Sequence, residues 1–258
     1  MLFRSNEADA EGVQAENYYH WLAQKMTRGL SAFSAEGYVY RVDLRLRPEG
    51  NSGNVVQSID RFERYYQTRI GAWERLALLK AWPVAGSVKL GQRYLAMSRP
   101  FICEPAFDER ALADVREMKS QIDDKVQARG QTGRNVKLGR GGIREIELIV
   151  QTLQVTHGRQ IPSLLVRSTL PALTLLRDHS LIPADDAEAL RTAYLFLRDV
   201  ENKLQMVDDA QTHSLPEDQE SLTVCARLLG YVAAEELIRD LRQHTDRVSG
   251  VFTRIVFR

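Results

Sequence analysis

The chain has 258 residues, 44% of them hydrophobic and 27% charged, which is typical of a soluble globular protein. Lys and Arg number 35 against 34 Asp and Glu, and this balance excludes a general affinity for polyanions. The two cysteines, Cys103 and Cys225, are too few for a disulfide framework, so we expect a reducing, cytoplasmic setting. No apolar run is long enough to span a membrane, and the polar, acidic start predicts no secretory signal.

The first part of the chain mixes helix and strand patterns. Apolar residues three and four apart predict a helix over about 14–33, and strict alternation predicts a strand over 39–47. Turn residues at 48–53 end this strand. Ser58 is predicted to cap a second helix, and a third covers 73–80. Because one strand cannot make a sheet, its partners must come from elsewhere in the chain, from another molecule, or from residues that are missing.

From about residue 107 the strand signals almost vanish, and the pattern predicts a helical bundle. The expected helices are 112–126 closed by Gly130, one starting at Ile143, one from Ser168 through Leu176, one from Asp185 or Asp186 to about Val207, one opening on Pro216–Asp218 and stopping near Gly230, and one from about Ala233 towards Phe257. The fold class is therefore α+β and mostly α, with the strand confined to the first part.

The predicted strand carries one carboxylate, Asp43, among Arg41, Arg45 and Arg47 on its polar face. A carboxylate flanked by guanidinium groups stays ionised at neutral pH and can ligate Mg²⁺, while the arginines can bind phosphate oxygens. The alternative is a solvated edge strand whose charges pair with one another. Nucleic-acid binding by these arginines is disfavoured, since the overall charge is near zero and no aromatic stacking motif lies beside them.

Two glycine-containing stretches could bind anions. The turn 48–53 could offer backbone N–H groups and the Ser52 hydroxyl to a phosphate, or it could be a plain connecting turn. In 137–147 (KLGRGGIREIE), two glycines at a helix start would leave N–H groups open to an anion near Lys137, Arg140 and Arg144. The alternative there is a helix start that needs glycine for close packing. The five histidines lack metal-ligand spacing, so we expect packed or surface side chains.

Several stretches, taken together and in order, resemble the bacterial glutamine synthetase adenylyltransferase/adenylyl-removing enzyme. They are 40–48 (YRVDLRLRP), 50–53 (GNSG), 73–81 (WERLALLKA), 137–147 (KLGRGGIREIE), 167–171 (RSTLP), 193–198 (AYLFLR) and 211–216 (QTHSLP). The resemblance covers nearly the whole chain.

The resemblance implies an architecture and a reaction. The family has two similar halves, each a nucleotidyltransferase domain followed by a helical domain. One half attaches AMP to a tyrosine of glutamine synthetase, and the other removes it by phosphorolysis, which releases ADP; the present motifs look more like the AMP-removing half. By resemblance, 1–106 is a partial nucleotidyltransferase α/β domain and 107–258 an all-α bundle like the helical domain of PII-uridylyltransferase.

The resemblance also implies the site and its partners. Asp43 matches the third carboxylate of the family's metal site, so it is the expected catalytic and Mg²⁺-binding aspartate. The first two carboxylates, from a G-S-x-x-D-x-D strand, have no match, so we expect a chain truncated after that strand and inactive alone. The candidates for phosphate contacts are Arg45, Arg47, Ser52, Lys80 and Lys137. The implied partners are glutamine synthetase, the PII signalling protein, ATP/ADP and phosphate, with neither nucleic acid nor membrane.

Two other functions stay open at this stage. The chain could be a non-catalytic helical regulatory module that binds glutamine synthetase or PII. It could also be an RNA-type nucleotidyltransferase, which would bind nucleic acid in a salt-sensitive way and which the near-zero net charge disfavours.

Overall fold

The computed structural model describes residues 2–4, 13–35, 37, 39–208 and 212–257. The chain divides into two compact units, Met1–Pro105 and Ala106–Arg258. Helices dominate the described residues of both units, which confirms the mostly α class. No helix in these ranges combines the length and the apolar character that crossing a membrane requires.

The first unit combines a small sheet with four helices among its described residues. Its elements are β1 (Leu2–Arg4), α1 (Val13–Ser31), β2 (Val56–Ser58), α2 (Ile59–Arg69), α3 (Ala72–Leu78) and α4 (Val88–Cys103). The two strands pair in parallel, with Leu2 opposite Val56. The predicted helices over 14–33 and 73–80 are confirmed as α1 and α3. Ser58 also caps α2 as predicted, since its Oγ accepts a hydrogen bond from the Arg61 N–H at 3.4 Å.

The predicted strand over 39–47 is wrong, because the described residues there form no ladder with any other strand. The segment instead makes local hydrogen bonds: the Tyr40 N–H donates to the Leu30 carbonyl, and the Arg47 N–H to the Arg45 carbonyl. A strand needs a neighbour to satisfy its backbone groups, and none of the described segments supplies one here.

The sequence pattern did not predict helix α4. Its buried face runs through Gly91, Tyr94, Ser98 and Ile102, which is a helical spacing. Gly91 is too small and Ser98 too polar to count as apolar, so the sequence shows no apolar stripe with helical spacing here. A Cβ on Gly91 would lie 2.5 Å from the Pro83 Cβ, which explains the glycine.

The core of the first unit is aromatic. The rings of Phe62 and Tyr94 meet edge to face at 5.5 Å between centroids, and the hydroxyls of Tyr66 and Tyr94 lie 2.9 Å apart. Arg75 is also buried, and its guanidinium donates to the Ile102 carbonyl at 2.9 Å and to the Pro105 carbonyl at 2.7 Å. The charge of Arg75 is thus used to satisfy backbone carbonyls at the end of the unit.

The second unit is a helical bundle. Its helices are α5 (Glu109–Ala128), α6 (Ile143–His157), α7 (Thr169–Asp178), α8 (Ala184–Asp208), α9 (Gln219–Leu228) and α10 (Ala234–Val256). The helices α6, α8 and α10 pack against one another around fully buried aliphatic side chains, among them Ile146, Leu197 and Val248. All six expected helices are present.

The start of α9 differs from the prediction. The helix begins at Gln219, and Asp218 is its cap, with Oδ1 accepting from the Ser221 N–H at 2.8 Å. Pro216 therefore precedes the helix and does not form its first turn. The side-chain cap outweighs the preference of proline for a first turn, because Asp218 satisfies a backbone donor that would otherwise lack a partner. Of the stretch 211–216, residue 211 lies outside the described residues.

Each unit holds one cysteine. Cys103 lies at the end of α4 and Cys225 in α9, and both are buried, unpaired thiols. Burial raises the pKa of both thiols.

Candidate functional site

Asp43 forms an ion pair with Arg45 two residues along the chain. The Arg45 guanidinium donates to both carboxylate oxygens, with Nη2 2.6 Å from Oδ2 and Nε 3.0 Å from Oδ1, and the Arg45 backbone N–H donates to Oδ1 at 2.9 Å. Arg41 lies further away, with Nη2 4.0 Å from Oδ2. The side-chain and backbone hydrogen bonds from Arg45 lower the pKa of Asp43 to about 2. The charges of residues 41–45 therefore pair with one another, as the alternative to a ligand site predicted, although this segment is not a strand.

The residues around Asp43 do not by themselves fit a Mg²⁺ ion. Both oxygens of this carboxylate already accept hydrogen bonds from Arg45. No group of three or more His, Cys, Asp or Glu side chains in the described part of the chain is arranged to hold a metal. Magnesium in proteins needs oxygen ligands in near-octahedral geometry, which one engaged carboxylate cannot supply.

Arg47 organises the loop that follows. Its guanidinium donates to three backbone carbonyls, those of Leu44, Asn51 at 3.2 Å and Gly53 at 3.0 Å. A fixed fork of donors is well suited to hold three carbonyls at once. In this structure, Arg47 therefore fixes the path of residues 44–53 and thereby the position of Ser52, another phosphate-contact candidate in this stretch.

Ser52 lines a small cavity of about 110 Å³. The cavity is lined by Pro48, Glu49, Ser52, Asn54, Gln57, Arg61 and Tyr65. Tyr65 connects the loop to the core, because its oxygen accepts from the Glu49 N–H at 3.4 Å and its hydroxyl donates to Glu74 Oε2 at 3.1 Å. Gln57 and Arg61 line the same cavity as Ser52 and were not predicted from the sequence, although their place just after the turn, on β2 and α2, was a usable signal.

The two lysine candidates lie in different units. Lys80 is half-buried just after α3, where its N–H donates to the Ala77 carbonyl at 3.0 Å. Lys137 belongs to the second unit, and its Nζ lies 3.1 Å from Glu201 Oε1. Their contact with phosphate stays a prediction.

The glycines before α6 serve close packing. Gly141 has φ +69°, and a Cβ there would lie 1.9 Å from the Thr245 carbonyl oxygen. The first N–H groups of the helix are engaged, since Ile143 donates to the Val136 carbonyl at 3.0 Å and Arg144 to the Lys137 carbonyl at 2.9 Å. The predicted anion site at open N–H groups is therefore wrong, and the packing alternative is confirmed.

A buried ion pair supports the same turn. Lys119 Nζ lies 3.0 Å from Glu145 Oε1, and both side chains are almost fully buried. Burial raises the pKa of Glu145, while Lys119 and the Gly141 N–H oppose that rise. The pair joins α5 to the first turn of α6.

Three stretches that resemble the adenylyltransferase family meet in one group of charged side chains, the ion cluster. It consists of Lys137, Arg144 and Glu147 from the first stretch, Arg198 and Glu201 from α8, and His213 from the third. The last three residues were not predicted from the sequence to belong to any site. Only the tertiary fold reveals this grouping, because 51 residues separate the partners Glu147 and Arg198.

Glu201 is the centre of the ion cluster. Its carboxylate lies 3.1 Å from Lys137 Nζ, 2.5 Å from Arg198 Nη1 and 3.1 Å from His213 Nδ1. Burial alone would raise the pKa of Glu201, but hydrogen bonds from His213, Arg198 and Lys137 outweigh it and lower this pKa to about 2. Glu147 extends the cluster, since Arg198 Nη2 lies 2.9 Å from its Oε1 and Arg144 Nη1 3.3 Å from its Oε2.

Two family models match the chain, one in each unit. The model described as glutamate-ammonia ligase adenylyltransferase matches residues 2–97, and the model described as GlnD PII-uridylyltransferase matches residues 116–256. Both descriptions name nucleotidyltransferases.

Curated relatives extend the match over nearly the whole chain. A bifunctional glutamine synthetase adenylyltransferase/adenylyl-removing enzyme of Bradyrhizobium diazoefficiens is 41% identical over 251 residues, covering 95% of this chain and 25% of the relative. One of the same name from Xanthomonas campestris is 42% identical over 247 residues, covering 96% and 26%. The chain belongs to this family of enzymes, and it spans about a quarter of the length of the curated relatives it matches.

Proposed function

We propose that this chain is part of a nucleotidyltransferase that removes AMP from a tyrosine of glutamine synthetase by phosphorolysis. In this reaction an oxygen of inorganic phosphate bonds to the phosphorus of the AMP group, the bond from phosphorus to the tyrosine oxygen breaks, the tyrosine oxygen takes a proton, and ADP leaves. The observation that carries the proposal is the 41–42% identity, over nearly the whole chain, to relatives named for adding and removing this group. Two buried, unpaired thiols suit a cytoplasmic protein.

We infer that Asp43 becomes a magnesium ligand only in a larger assembly of carboxylates. The ion pair with Arg45 keeps Asp43 ionised, which a ligand needs, but it also occupies both oxygens. Other acidic side chains would have to join Asp43 and draw its carboxylate away from Arg45. The proposal therefore includes the inactivity of the chain on its own.

The same geometry supports phosphate contacts in the first unit. The guanidinium of Arg45 is exposed and is bound to Asp43 alone among the described residues, so it would be available to an oxyanion if Asp43 released it. Ser52 and Arg61 both line the polar cavity. Arg47 contributes by holding this loop in place.

Turnover tests the proposal. The purified chain, incubated with adenylylated glutamine synthetase, phosphate and Mg²⁺, should release no ADP above background. A full-length relative should release ADP, and Asp→Asn at its position equivalent to Asp43 should reduce this rate by roughly a hundredfold or more. Ordinary turnover by that variant would contradict the role of Asp43, and ADP release by the isolated chain would contradict its inactivity.

A second candidate function rests on the match of residues 116–256 to the PII-uridylyltransferase model. On this proposal the helical unit binds glutamine synthetase or the PII protein without catalysing a reaction. A binding experiment with the chain separates the two functions. If the helical unit is a binding module, the chain should bind glutamine synthetase or PII, and Asp43→Asn should leave that affinity unchanged. If the chain is part of the AMP-removing enzyme, it need not bind PII.

A further inference from the structure

The ion cluster has its carboxylates inside and its cations outside. The Glu201 side chain is 4% exposed and that of Glu147 13%. The Arg144 side chain is 37% exposed, and those of Arg198, Lys137 and His213 are exposed by 33%, 28% and 21%. The buried glutamates thus hold the cations in place, and each cation remains partly exposed to solvent.

The cations of the cluster have donors to spare. Among the described residues, the guanidinium of Arg144 makes one hydrogen bond, to Glu147, although it carries five N–H groups. Among the side chains that the structure describes, the Lys137 ammonium group is paired with Glu201 alone, although it carries three N–H groups. His213 uses Nδ1 towards Glu201, and its Nε2 has no partner among the described residues. These donors come from two stretches of the chain, 137–147 and 211–216, and the side chains that carry them are partly exposed.

The charge of the cluster is also unbalanced. Lys137, Arg144 and Arg198 are permanent cations against the two carboxylates, so the cluster carries a net positive charge even when His213 is neutral. The buried pair of Lys119 and Glu145 in the same unit is different, since one cation there faces Glu145 and Asp123 and lies 4% exposed. A surplus of positive charge at a half-exposed place favours an anion.

The backbone holds the cluster in a fixed geometry. The Val136 N–H donates to the His213 carbonyl at 2.8 Å, and the Leu215 N–H donates to the Arg134 carbonyl at 3.0 Å. These bonds tie the segment of Lys137 to that of His213, while α6 and α8 supply Arg144 and Arg198 from packed helices. Donors that are placed before the ligand arrives lose little entropy on binding it.

We propose that the ion cluster is a binding site for a phosphoryl oxyanion, in which Arg144, Lys137 and His213 donate to the oxygens and Arg198 supplies charge. The ligand class follows from the donors, because forks and point donors from several directions match a tetrahedral group with several acceptor oxygens. Its biological meaning rests on the proposed function, in which the phosphoryl group belongs to inorganic phosphate or to the ADP that leaves.

Binding to the intact chain tests this site without glutamine synthetase, Mg²⁺ or turnover. Inorganic phosphate and ADP are titrated separately by calorimetry, into the chain and into Arg144→Gln. This substitution leaves Glu147 paired with Arg198, so the fold should persist. We expect saturable binding of at least one ligand and about a tenfold loss of affinity in the variant. The matched control is Arg140→Gln, which removes the same charge from a side chain 72% exposed and paired with Asp246, and it should bind like the unaltered chain.

Every result of these titrations either supports the site or overturns it. Phosphate binding that Arg144→Gln weakens supports the site with free phosphate as its ligand, and ADP binding alone, weakened in the same way, supports it with the nucleotide as the source. The absence of binding by both ligands overturns the site, as does an equal effect of both substitutions. If Arg144→Gln does not fold, nuclear magnetic resonance of the unaltered chain decides, since the ligand must shift the His213 ring signals and leave those of His179 unchanged. Failure here leaves the turnover test of Asp43 untouched.

Discussion

At the scale of single residues, Gly141 is a position where the fold leaves no room for a side chain. Its φ of +69° lies in the left-handed region, and any side chain would start 1.9 Å from the Thr245 carbonyl oxygen. The obstacle is backbone of α10, which cannot rotate away as a side chain can. The close approach of two backbones, more than the turn itself, demands glycine here.

Gly141→Ala should therefore destabilise the chain by about 3 kcal/mol or more, combining left-handed strain with a forced separation of α6 from α10. Urea unfolding followed by circular dichroism measures the change. Gly130→Ala is the matched control, because its φ is +65° but nothing lies within 4 Å of the added Cβ. The control should lose about 1–2 kcal/mol, from strain alone. Equal losses in the two variants would show that contact with Thr245 is not the cause.

Asp43→Asn should have a small effect on stability. The ion pair with Arg45 is close, but Asp43 is 36% exposed and its partner more so, and solvent screens such pairs. We expect a change of less than about 1 kcal/mol in the free energy of unfolding, similar to that of Asp60→Asn, whose pair with Arg93 is also exposed. A large loss in urea unfolding would mean that Asp43 has a structural role and would remove the basis for using it as a probe of catalysis.

At the scale of elements, the loop from 44 to 53 depends on one guanidinium. Arg47→Lys keeps the charge but replaces a fork with a single point, which cannot reach three carbonyls together. We expect faster amide hydrogen exchange in residues 48–53 and a loss of about 1–2 kcal/mol. Arg45→Lys is the control, since Arg45 holds no carbonyl of this loop. Unchanged exchange in Arg47→Lys would contradict the organising role of Arg47.

The ion cluster should make the second unit sensitive to acid. The pKa of Glu201 in the folded chain is about 2, below the ordinary value of 4.5, so its contribution to stability is present above pH 4.5 and is lost as the pH falls through about 2. We expect this contribution to be on the order of 2–3 kcal/mol. Measured by urea unfolding between pH 6 and pH 2.5, the chain should lose more stability than Glu201→Gln does. Parallel curves would show that Glu201 does not titrate in this way.

The same elements show which parts of the fold can be predicted from the sequence. Helices with a full apolar stripe, such as α6 and α10, were predicted because the apolar periodicity runs along their whole length. The segment 39–47 has a strand's alternation, and its half-buried Val42 and Leu44 keep that alternation, but pairing depends on a neighbour that local pattern cannot reveal. The partners of Asp43 were readable from spacing alone, whereas the ion cluster depends on packing between distant segments.

At the scale of the whole molecule, the two units differ in how complete they are. The second unit surrounds its aliphatic core with six helices. In the first, the described strands make a parallel pair of three residues each, and large apolar side chains such as Phe33 and Tyr40 are 82% and 66% exposed. Two short parallel strands rarely hold a fold by themselves.

Residues 106–258 produced alone should therefore unfold cooperatively in urea, with dispersed amide resonances. Residues 1–105 produced alone should show helical circular dichroism without a cooperative transition, because this unit offers its apolar side chains to solvent. The whole chain is the reference for both. A sharp transition in the shorter piece, matching one in the whole chain, would contradict the difference in completeness.

The placement of one buried thiol in each unit gives the chain two internal reporters. Cys103 and Cys225 are shielded in α4 and α9, so a thiol reagent can modify each only after its own helix has opened. Labelling rates, measured at the two cysteines from peptide masses, would then report the opening of the two units separately. A single sample suffices, and no substitution is needed. A less complete first unit should expose Cys103 to the reagent well before Cys225.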